Sequence, residues 1–357
     1  MSGRKLKGFL VPFLLLFFLF FIFGCQLPPQ APPEDGGVEG VLQGLEVHFL
    51  DVGQGDSIFI QTAEQNILID AGEKSQGEMV VDYLRGQGVE KLDLVIATHP
   101  HSDHIGGLIQ VLTDIPVKEV LDPAVVHTTK LFEDYLTLIA AKDIKFTEGR
   151  AGMVRDLGGA VLEILHPLAP TSSALNDASL VTRITCGHIS LLLTGDIEKK
   201  SEREILDRGV PIKSTLLKAC HHGSSTSNSP QFVQAVAPEA VIIMCGEGND
   251  YGHPHEEVLE TYSRLGVAIY RTDLLGSIVV SSDGETYTIA GEKGAGPAEN
   301  YYEPDFELLG SVNSNRYHRP DCRHIADIKA ENIIIFQSRK DAEARGYIPC
   351  KTCKPVG

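Results

Sequence analysis

The chain has 357 residues, of which 43% are apolar, so it is long enough for one domain with a substantial core and a second, smaller one. Its 48 acidic side chains outnumber the 31 basic ones and give a net charge of -17. This charge argues against loose electrostatic binding to DNA or anionic lipid, because such binding needs many Lys and Arg. It leaves open a metal-centred site for phosphate esters, where the cations themselves attract the phosphate.

The chain begins with a basic and then a strongly apolar segment. Three basic residues lie within the first seven, and residues 9–23 are almost wholly apolar. This stretch is short for a membrane-spanning helix and typical of a signal peptide. It ends at Cys25 in a pattern that resembles the lipobox of bacterial lipoproteins, which implies cleavage before Cys25 and its lipidation. We therefore predict a signal peptide over 1–25 and an extracytoplasmic protein, lipid-anchored to the bacterial cell membrane, with an uncleaved anchor as the alternative.

Two segments rich in Pro, Gly and acidic residues divide the remainder of the chain, at 26–44 and at 292–309. Neither has an apolar periodicity, so we predict flexible linkers. The folded parts are then expected at 45–291 and 310–357.

The larger part shows two rounds of strands followed by helices, which predict a layered α/β domain. Strands are expected at 45–52, 57–62, 66–72, 92–97, 117–121, 161–165, 179–185, 189–194, 216–220, 240–244, 267–270 and 278–281. Helices are expected at 79–84, from 108, and at 131–141, 199–207, 231–236 and 256–265.

The most informative stretch is the loop at 98–107, between a buried strand and a helix. It carries His99, His101, Asp103 and His104 within six residues. Imidazole and carboxylate suit zinc, manganese or iron, and such a cluster is costly to bury without a cation. The sequence therefore predicts a metal-binding cluster here, against the alternative of a solvated loop with incidental histidines.

Further candidate ligands follow other strands of the same region. Asp196 comes directly after an apolar strand, where it would bind metal or cap the next helix. His221 and His222 follow another apolar strand, and we favour His222 as the ligand. His253 and His255 precede a helix and would donate protons to a leaving group, or are incidental.

The His-x-His-x-Asp-His pattern resembles the metallo-β-lactamase superfamily. The resemblance implies an αββα sandwich with the site at one edge between the sheets, and two divalent ions there, zinc or manganese. It also implies a ligand set: His99 and His101 on one ion, Asp103 and His104 on the other, with Asp196 bridging both.

The family pattern has a further His between His104 and Asp196. This sequence offers His166 after a strand and Asp177 before the next one. Either Asp177 replaces the missing ligand, or the ion is held with one ligand fewer.

The sequence motifs at 49–56, 193–196, 221–224 and 251–255 resemble those of the hydrolase domain of ComEC-type DNA-uptake proteins. The resemblance covers 45–290 and implies a phosphodiesterase or nuclease acting on DNA or nucleotides by a metal-activated hydroxide. Asp103 would hold the hydroxide and His255 would protonate the leaving group. The implied partners are a phosphodiester substrate and DNA-uptake or cell-wall components. The alternatives are a phosphorylcholine-type esterase acting on a cell-wall polymer and a non-catalytic surface binding protein.

The tail carries a second set of candidate ligands, His318, Cys322, Cys350 and Cys353. Their spacing suits one tetrahedral zinc, which would stabilise a small α+β module that cannot bury much core. The tail resembles the zinc-binding domain of the Ada DNA-repair protein, with His318 at the position of that family's first Cys. A Cys350–Cys353 disulfide is the alternative, and His324 is a rival for His318.

Overall fold

The computed structural model describes residues 44–170, 174–294, 296–297, 307–337, 339–353 and 355. The predicted signal peptide, Cys25, nearly all of the first linker and part of the second lie outside the described residues. Within the described ranges, no helix combines the length and apolar character needed to cross a membrane.

In the described residues of the larger part, there are fifteen strands and eight α-helices. The strands are β1 (Leu45–Phe49), β2 (Ile58–Gln61), β3 (Asn66–Ile69), β4 (Leu94–Ile96), β5 (Glu119–Asp122), β6 (Lys145–Glu148), β7 (Val154–Asp156), β8 (Val161–His166), β9 (Val181–Cys186), β10 (Ile189–Leu193), β11 (Leu216–Lys218), β12 (Ala240–Ile243), β13 (Ala268–Arg271), β14 (Ile278–Ser282) and β15 (Tyr287–Gly291). The helices are α1 (Gly77–Gly86), α2 (Ser102–Ile105), α3 (Leu108–Asp114), α4 (Lys130–Ala141), α5 (Lys199–Asp207), α6 (Pro230–Val236), α7 (Glu256–Arg264) and α8 (Thr272–Leu275).

The strands form two sheets that pack face to face. The first has the order β15-β14-β1-β2-β3-β4-β5-β6 and the second the order β13-β12-β11-β10-β9-β8-β7. Successive side chains of a strand point to opposite faces of its sheet. Ile58 and Ile60 therefore pack between the two sheets, whereas Phe59 packs on the outer face of the first sheet. Helices α1, α3 and α4 cover the outer face of the first sheet, and α5, α6 and α7 that of the second. The predicted αββα sandwich is confirmed.

The sheet directions bring the polar loops together. Strands β3 to β6 run parallel in the first sheet, and β10 to β13 run parallel in the second. Parallel neighbours present their carboxyl ends at one edge, where ligand sites of such sheets form. Asp70 and His99 follow strands of the first sheet there, and Asp196 and His222 follow strands of the second.

Among the described strands of the two large sheets, three were not predicted from the sequence, β6, β7 and β15, and all three lie at sheet edges. The residues of β6 and β7 are exposed or half-buried. Such strands carry no buried apolar run, which is the signal that identified the others.

The tail forms a separate four-stranded sheet. Its strands are β16 (Leu308–Ser311), β17 (Arg316–His318), β18 (Ile333–Phe336) and β19 (Ile348–Pro349), and their order in the sheet is β18-β16-β17-β19. The helix α9 (Arg339–Ala344) lies between β18 and β19 in the sequence. Its buried apolar cluster consists of Leu308, Tyr317, Phe336 and Ala342. So small a core needs another source of stability, as the tail's composition predicts.

Candidate metal centres

The loop between β4 and α3 adopts a compact form that turns its histidines inward. His99 and His104 are buried, and His99 Nε2 lies 3.0 Å from His101 Nδ1. Helix α2 places Asp103 and His104 on consecutive positions. Gly107 allows the loop to approach β3 closely, because a Cβ atom there would lie 2.1 Å from the carbonyl oxygen of Ala71.

Four of the predicted ligands converge on one point. Asp103, His104, Asp196 and His222 each present one ligand atom, and these atoms all lie within 4.8 Å of one another. Asp196 Oδ2 is 3.1 Å from His104 Nε2 and 3.3 Å from His222 Nε2, and Asp103 Oδ2 is 3.4 Å from His222 Nε2. His221 lies further out, with Nε2 3.8 Å from Asp196 Oδ2. The geometry thus favours His222 over His221 as the ligand.

The donor atoms of this group fit a cation. Asp196 Oδ1 and His222 Nε2 are buried and make no hydrogen bond within the described residues. Leaving such atoms unpaired costs free energy, which a bound divalent ion would remove. Two carboxylates and two imidazoles also form a donor set that zinc or manganese accepts.

His99, a predicted ligand of the first ion, also lies close to Asp196. His99 Nε2 is 3.9 Å from Asp196 Oδ2, and the ring centroids of His99 and His104 are 4.2 Å apart. Asp196 Oδ2 therefore lies within 3.9 Å of an imidazole nitrogen of His99, His104 and His222. A carboxylate with these neighbours fits the bridging role that the resemblance implies.

Asp177 is not one of the residues whose ligand atoms meet at the candidate metal centre. Its carboxylate accepts hydrogen bonds from Glu198 N at 3.1 Å and Ser201 Oγ at 2.8 Å, at the start of α5. His166 Nε2 donates to the carbonyl oxygen of Asp177 at 2.8 Å. The Asp177 carboxylate therefore caps a helix, the role considered for Asp196, and its place as a substitute for the missing histidine stays a prediction.

Three charged residues that the sequence analysis did not select lie close to the candidate ligands. Asp70 Oδ2 lies 2.7 Å from His104 Nδ1, and Asp56 Oδ1 lies 3.3 Å from His222 Nδ1. Lys218 Nζ lies 2.5 Å from Asp56 Oδ2. The Asp70 contact fixes the ring orientation of His104, whereas His222 Nδ1 donates its hydrogen bond to the carbonyl oxygen of Met244 at 3.0 Å. A charged residue inside an apolar strand, as Lys218 is, was the available signal.

The carboxylates control the protonation of the buried imidazoles. Burial alone would lower the pKa of His104, but Asp196, Asp103 and Asp70 raise this pKa well above its ordinary value. The pKa of His222 is raised in the same way by Asp196 and Asp56, against the effect of burial. Without a cation, protons hold the ligand nitrogens, so metal binding would release protons and weaken as the pH falls.

A cavity of about 290 Å³ opens onto the centre. Its wall includes His253 and, at the rim, Tyr251, whose exposed ring stacks on His253 with a centroid distance of 5.6 Å. His255 is not part of this wall, and its Nδ1 accepts a hydrogen bond from Ser225 N at 2.9 Å. His253 is thus the nearer of the two imidazoles to the cavity, and the role of His255 as proton donor stays a prediction.

The tail also brings its predicted ligands together. One ligand atom from each of His318, Cys322, Cys350 and Cys353 lies within 4.8 Å of the others. These cysteines are free thiols, so the structure has no Cys350–Cys353 disulfide. His324 Nε2 instead pairs with Thr352 Oγ1 at 3.1 Å. Burial and the neighbouring thiols raise the pKa of Cys353 to about 12, so this thiol needs a cation to ionise near neutral pH.

Family models match both folded parts of the chain. Residues 50–247 match the family model of the metallo-beta-lactamase superfamily, and residues 305–356 match that of the metal binding domain of Ada. Over 251 residues, 65% of this chain, it is 34% identical to ComE operon protein 3 of Bacillus subtilis (strain 168), of which it covers 32%. Over 255 residues, 70% of this chain, it is 31% identical to Competence protein ComA of Neisseria gonorrhoeae, of which it covers 33%. The chain thus spans about a third of the length of these relatives.

Among solved structures, the chain is similar to the metallo-beta-lactamase fold protein YhfI from Bacillus subtilis. The TM-score is 0.47 and the identity 15%, over 67% of this chain and 100% of that one. The resemblances to the superfamily, to the competence proteins and to the Ada domain are confirmed by these matches.

Proposed function

The chain belongs to the metallo-beta-lactamase superfamily, as a hydrolase related to competence proteins, and on that premise we propose that it cleaves phosphodiester bonds in DNA or nucleotides with two divalent metal ions. The observation that carries the proposal is the position of Asp196. This buried carboxylate lies within 3.9 Å of imidazole nitrogens of His99, His104 and His222, and its Oδ1 makes no hydrogen bond within the described residues. Two-metal sites of this kind suit phosphoryl transfer.

The residues divide into two ligand groups. His99 and His101 would hold one ion, and Asp103, His104 and His222 the other, with Asp196 shared. When bound, the ions would polarise the phosphoryl oxygens and lower the pKa of a water to near neutrality.

Asp103 and His253 face the substrate side of the centre. The Asp103 side chain is 25% exposed, whereas that of Asp196 is 2% exposed, so Asp103 presents its carboxylate to the cavity. It would accept a hydrogen bond from the attacking water. His253 lies in the cavity wall, and burial and the neighbouring imidazoles lower its pKa to about 4, so its neutral ring would hydrogen-bond the substrate. The proton for the departing alkoxide would come from His255. No covalent intermediate is needed, since the water attacks phosphorus directly.

DNA is favoured as the substrate class by the relatives and by the charge of the tail. One relative is named a competence protein and another Recombination protein 2. Residues 310–357 hold nine basic and five acidic side chains, a net charge of +4 in a chain whose total is -17. A basic zinc-stabilised tail would contact phosphates that the acidic remainder repels.

A location outside the cytoplasm is part of the proposal and rests on the sequence pattern around Cys25. Labelling of the full-length chain with a fatty-acid analogue in a bacterial host tests it. Wild type would be labelled and found in the membrane fraction, whereas Cys25→Ser would not be labelled. Label retained by Cys25→Ser would refute lipidation at this residue.

The activity is tested with the full-length chain purified without chelator. Substrates are single-stranded DNA, bis-p-nitrophenyl phosphate and p-nitrophenyl phosphorylcholine. We expect DNA and the diester to be hydrolysed, and His99→Ala and Asp196→Ala to lose this activity. The matched control His188→Ala, on an exposed hairpin, keeps it.

Other outcomes of this experiment decide against the proposal. Hydrolysis of the phosphorylcholine ester alone would favour an esterase of a cell-wall polymer, which the acidic charge of -17 also suits. Metal binding with no turnover of any substrate would leave a surface binding protein on the same fold.

A further inference from the structure

In the predicted ligand set, the first ion has one protein donor fewer than in the family pattern. The segment before β9 contains a side chain that is able to supply this donor. A 3-10 turn spans Asn176–Ala178. The Asn176 side chain lies in the wall of the metal cavity, together with His101 and Asp196. It thus occupies the stretch between His104 and Asp196 where the family's further histidine is expected.

The amide of Asn176 has a defined orientation. Its Nδ2 donates a hydrogen bond to Glu198 Oε1 at 3.2 Å. Its Oδ1 is buried and makes no hydrogen bond within the described residues. A buried amide oxygen without a partner is unfavourable, and beside a metal centre it is available to a cation. Amide oxygens are established ligands of divalent ions.

The residues on either side hold this segment in place. Asp177 is tied to the start of α5 through Glu198 N and Ser201 Oγ. Ser179 Oγ accepts a hydrogen bond from Asp196 N at 3.0 Å and lies 3.3 Å from His99 Nδ1. Asn176 is therefore fixed between a helix start and two of the expected ligands, and its position does not depend on a mobile loop.

We propose that the Asn176 amide oxygen is a ligand of the first metal ion, in place of a third imidazole. The inference rests on the proposed two-metal centre. The first ion is then held by His99, His101, Asn176 and the shared Asp196. Its donors carry one negative charge fewer than those of the second ion, which include the carboxylate of Asp103 as well.

This difference makes the two ions unequal. A neutral amide oxygen is a weaker and harder donor than an imidazole or a carboxylate, so the first position binds zinc less tightly than the second. On titration with a chelator, the first ion leaves before the second. A substitution that alters Asn176 changes the weaker binding step and leaves the stronger one in place.

The test is a zinc titration of the full-length chain against a competing chromophoric chelator, with zinc per chain measured by elemental analysis. Wild type binds three zinc ions, one of them in the tail. Asn176→Ala weakens the weakest step by about tenfold or more, the size expected for loss of a group that serves a metal ion. Asn176→His tightens the same step, because it restores an imidazole. The visible spectrum of the cobalt-loaded protein changes in both variants, since the donors at one ion differ.

The control is Asp177→Asn, in the same turn, whose carboxylate caps α5. It keeps all three binding steps. Unchanged zinc binding and cobalt spectra in Asn176→Ala, or loss of an ion in Asp177→Asn alone, would overturn the assignment of Asn176. Wild type that binds only the tail zinc would instead overturn the two-metal centre itself, and the two failures are therefore distinguishable.

Discussion

Lys218 and Asp56 form a buried ion pair in which Nζ lies 2.5 Å from Oδ2. Both side chains are at most 2% exposed. Lys218 Nζ also donates to the carbonyl oxygen of Gly195 at 3.1 Å and lies 3.7 Å from Asp196 Oδ1. The ammonium therefore neutralises part of the carboxylate charge behind the metal centre, which the ions alone would otherwise have to balance.

Removal of Lys218 alone should be costly. Lys218→Met leaves the Asp56 carboxylate buried without its partner, which lowers the free energy of unfolding by about 3–5 kcal/mol. The double variant Lys218→Met with Asp56→Asn should recover a large part of this loss, because no unpaired charge remains. Urea denaturation of the metal-saturated protein measures both. Equal stability of the single variant and wild type would contradict the role assigned to the pair.

Asp70 should control metal affinity without touching the metal. Its carboxylate orients His104 through the 2.7 Å contact with Nδ1 and is itself fixed by Thr98 N at 2.8 Å. Asp70→Asn should weaken zinc binding by about 10–100-fold. Competition with a zinc-binding dye gives the affinity. The control Asp114→Asn, on an exposed helix end, should match wild type.

Asn228 should be a positioning residue for His222. His221 and His222 both adopt left-handed backbone angles, with φ of 48° and 53°. The Asn228 amide bonds to Cys220 N, Cys220 O and Ser224 O on both sides of this turn at 2.9–3.0 Å.

Asn228→Gly keeps the left-handed φ of 59° at this position but removes those bonds. It should lower the free energy of unfolding by at least about 2 kcal/mol and weaken zinc binding. Asn228→Ala should lose about 1 kcal/mol more through backbone strain. If Asn228→Gly binds zinc as tightly as wild type, the amide does not position His222.

Asp122 should make stability depend on pH. Burial raises its pKa to about 6, despite hydrogen bonds from Ala124 N and Tyr135. The folded state thus holds the proton more tightly than the unfolded chain. The stabilisation is fully present below pH about 4 and is lost as the pH rises through about 6.

Asp122→Asn removes this dependence, since its amide keeps both contacts. The difference in free energy of unfolding between wild type and this variant should fall by about 3 kcal/mol from pH 4 to pH 7. Chemical denaturation at a series of pH values measures it. A difference that stays constant with pH would contradict the raised pKa.

Loss of the tail zinc should unfold the tail and leave the two large sheets folded. Cys350→Ser should lower the zinc content by one ion per chain and increase hydrogen exchange at Tyr317 and Phe336, because the small core cannot hold the sheet by itself. Exchange in the two large sheets should not change. Cys186→Ser, at a buried position outside both centres, should keep the full zinc content.

The sequence was most informative where a motif is local. His99 to His104 lie on one loop, so their spacing alone predicted a metal cluster that the fold then presents to Asp196. Asp70 and Lys218 act only through partners that are distant in sequence. No periodicity marks such contacts.

Asp177 and Asn176 show the same limit at closer range. They are neighbours in sequence, yet one side chain caps α5 and the other lies in the cavity wall. Both residue types serve as helix caps and as ligands, so only the path of the backbone separates the two roles.

The donors of the metal centre come from both sheets of the sandwich. His104 follows β4 of the first sheet, whereas Asp196 and His222 follow β10 and β11 of the second. At the end of the sandwich where these donors lie, charged groups replace the apolar side chains between the sheets. Ions bound among these groups would set the distance between the two sheets. The width of the cleft would therefore follow the ionic radius, so exchanging one bound metal for another would change the shape of the cleft.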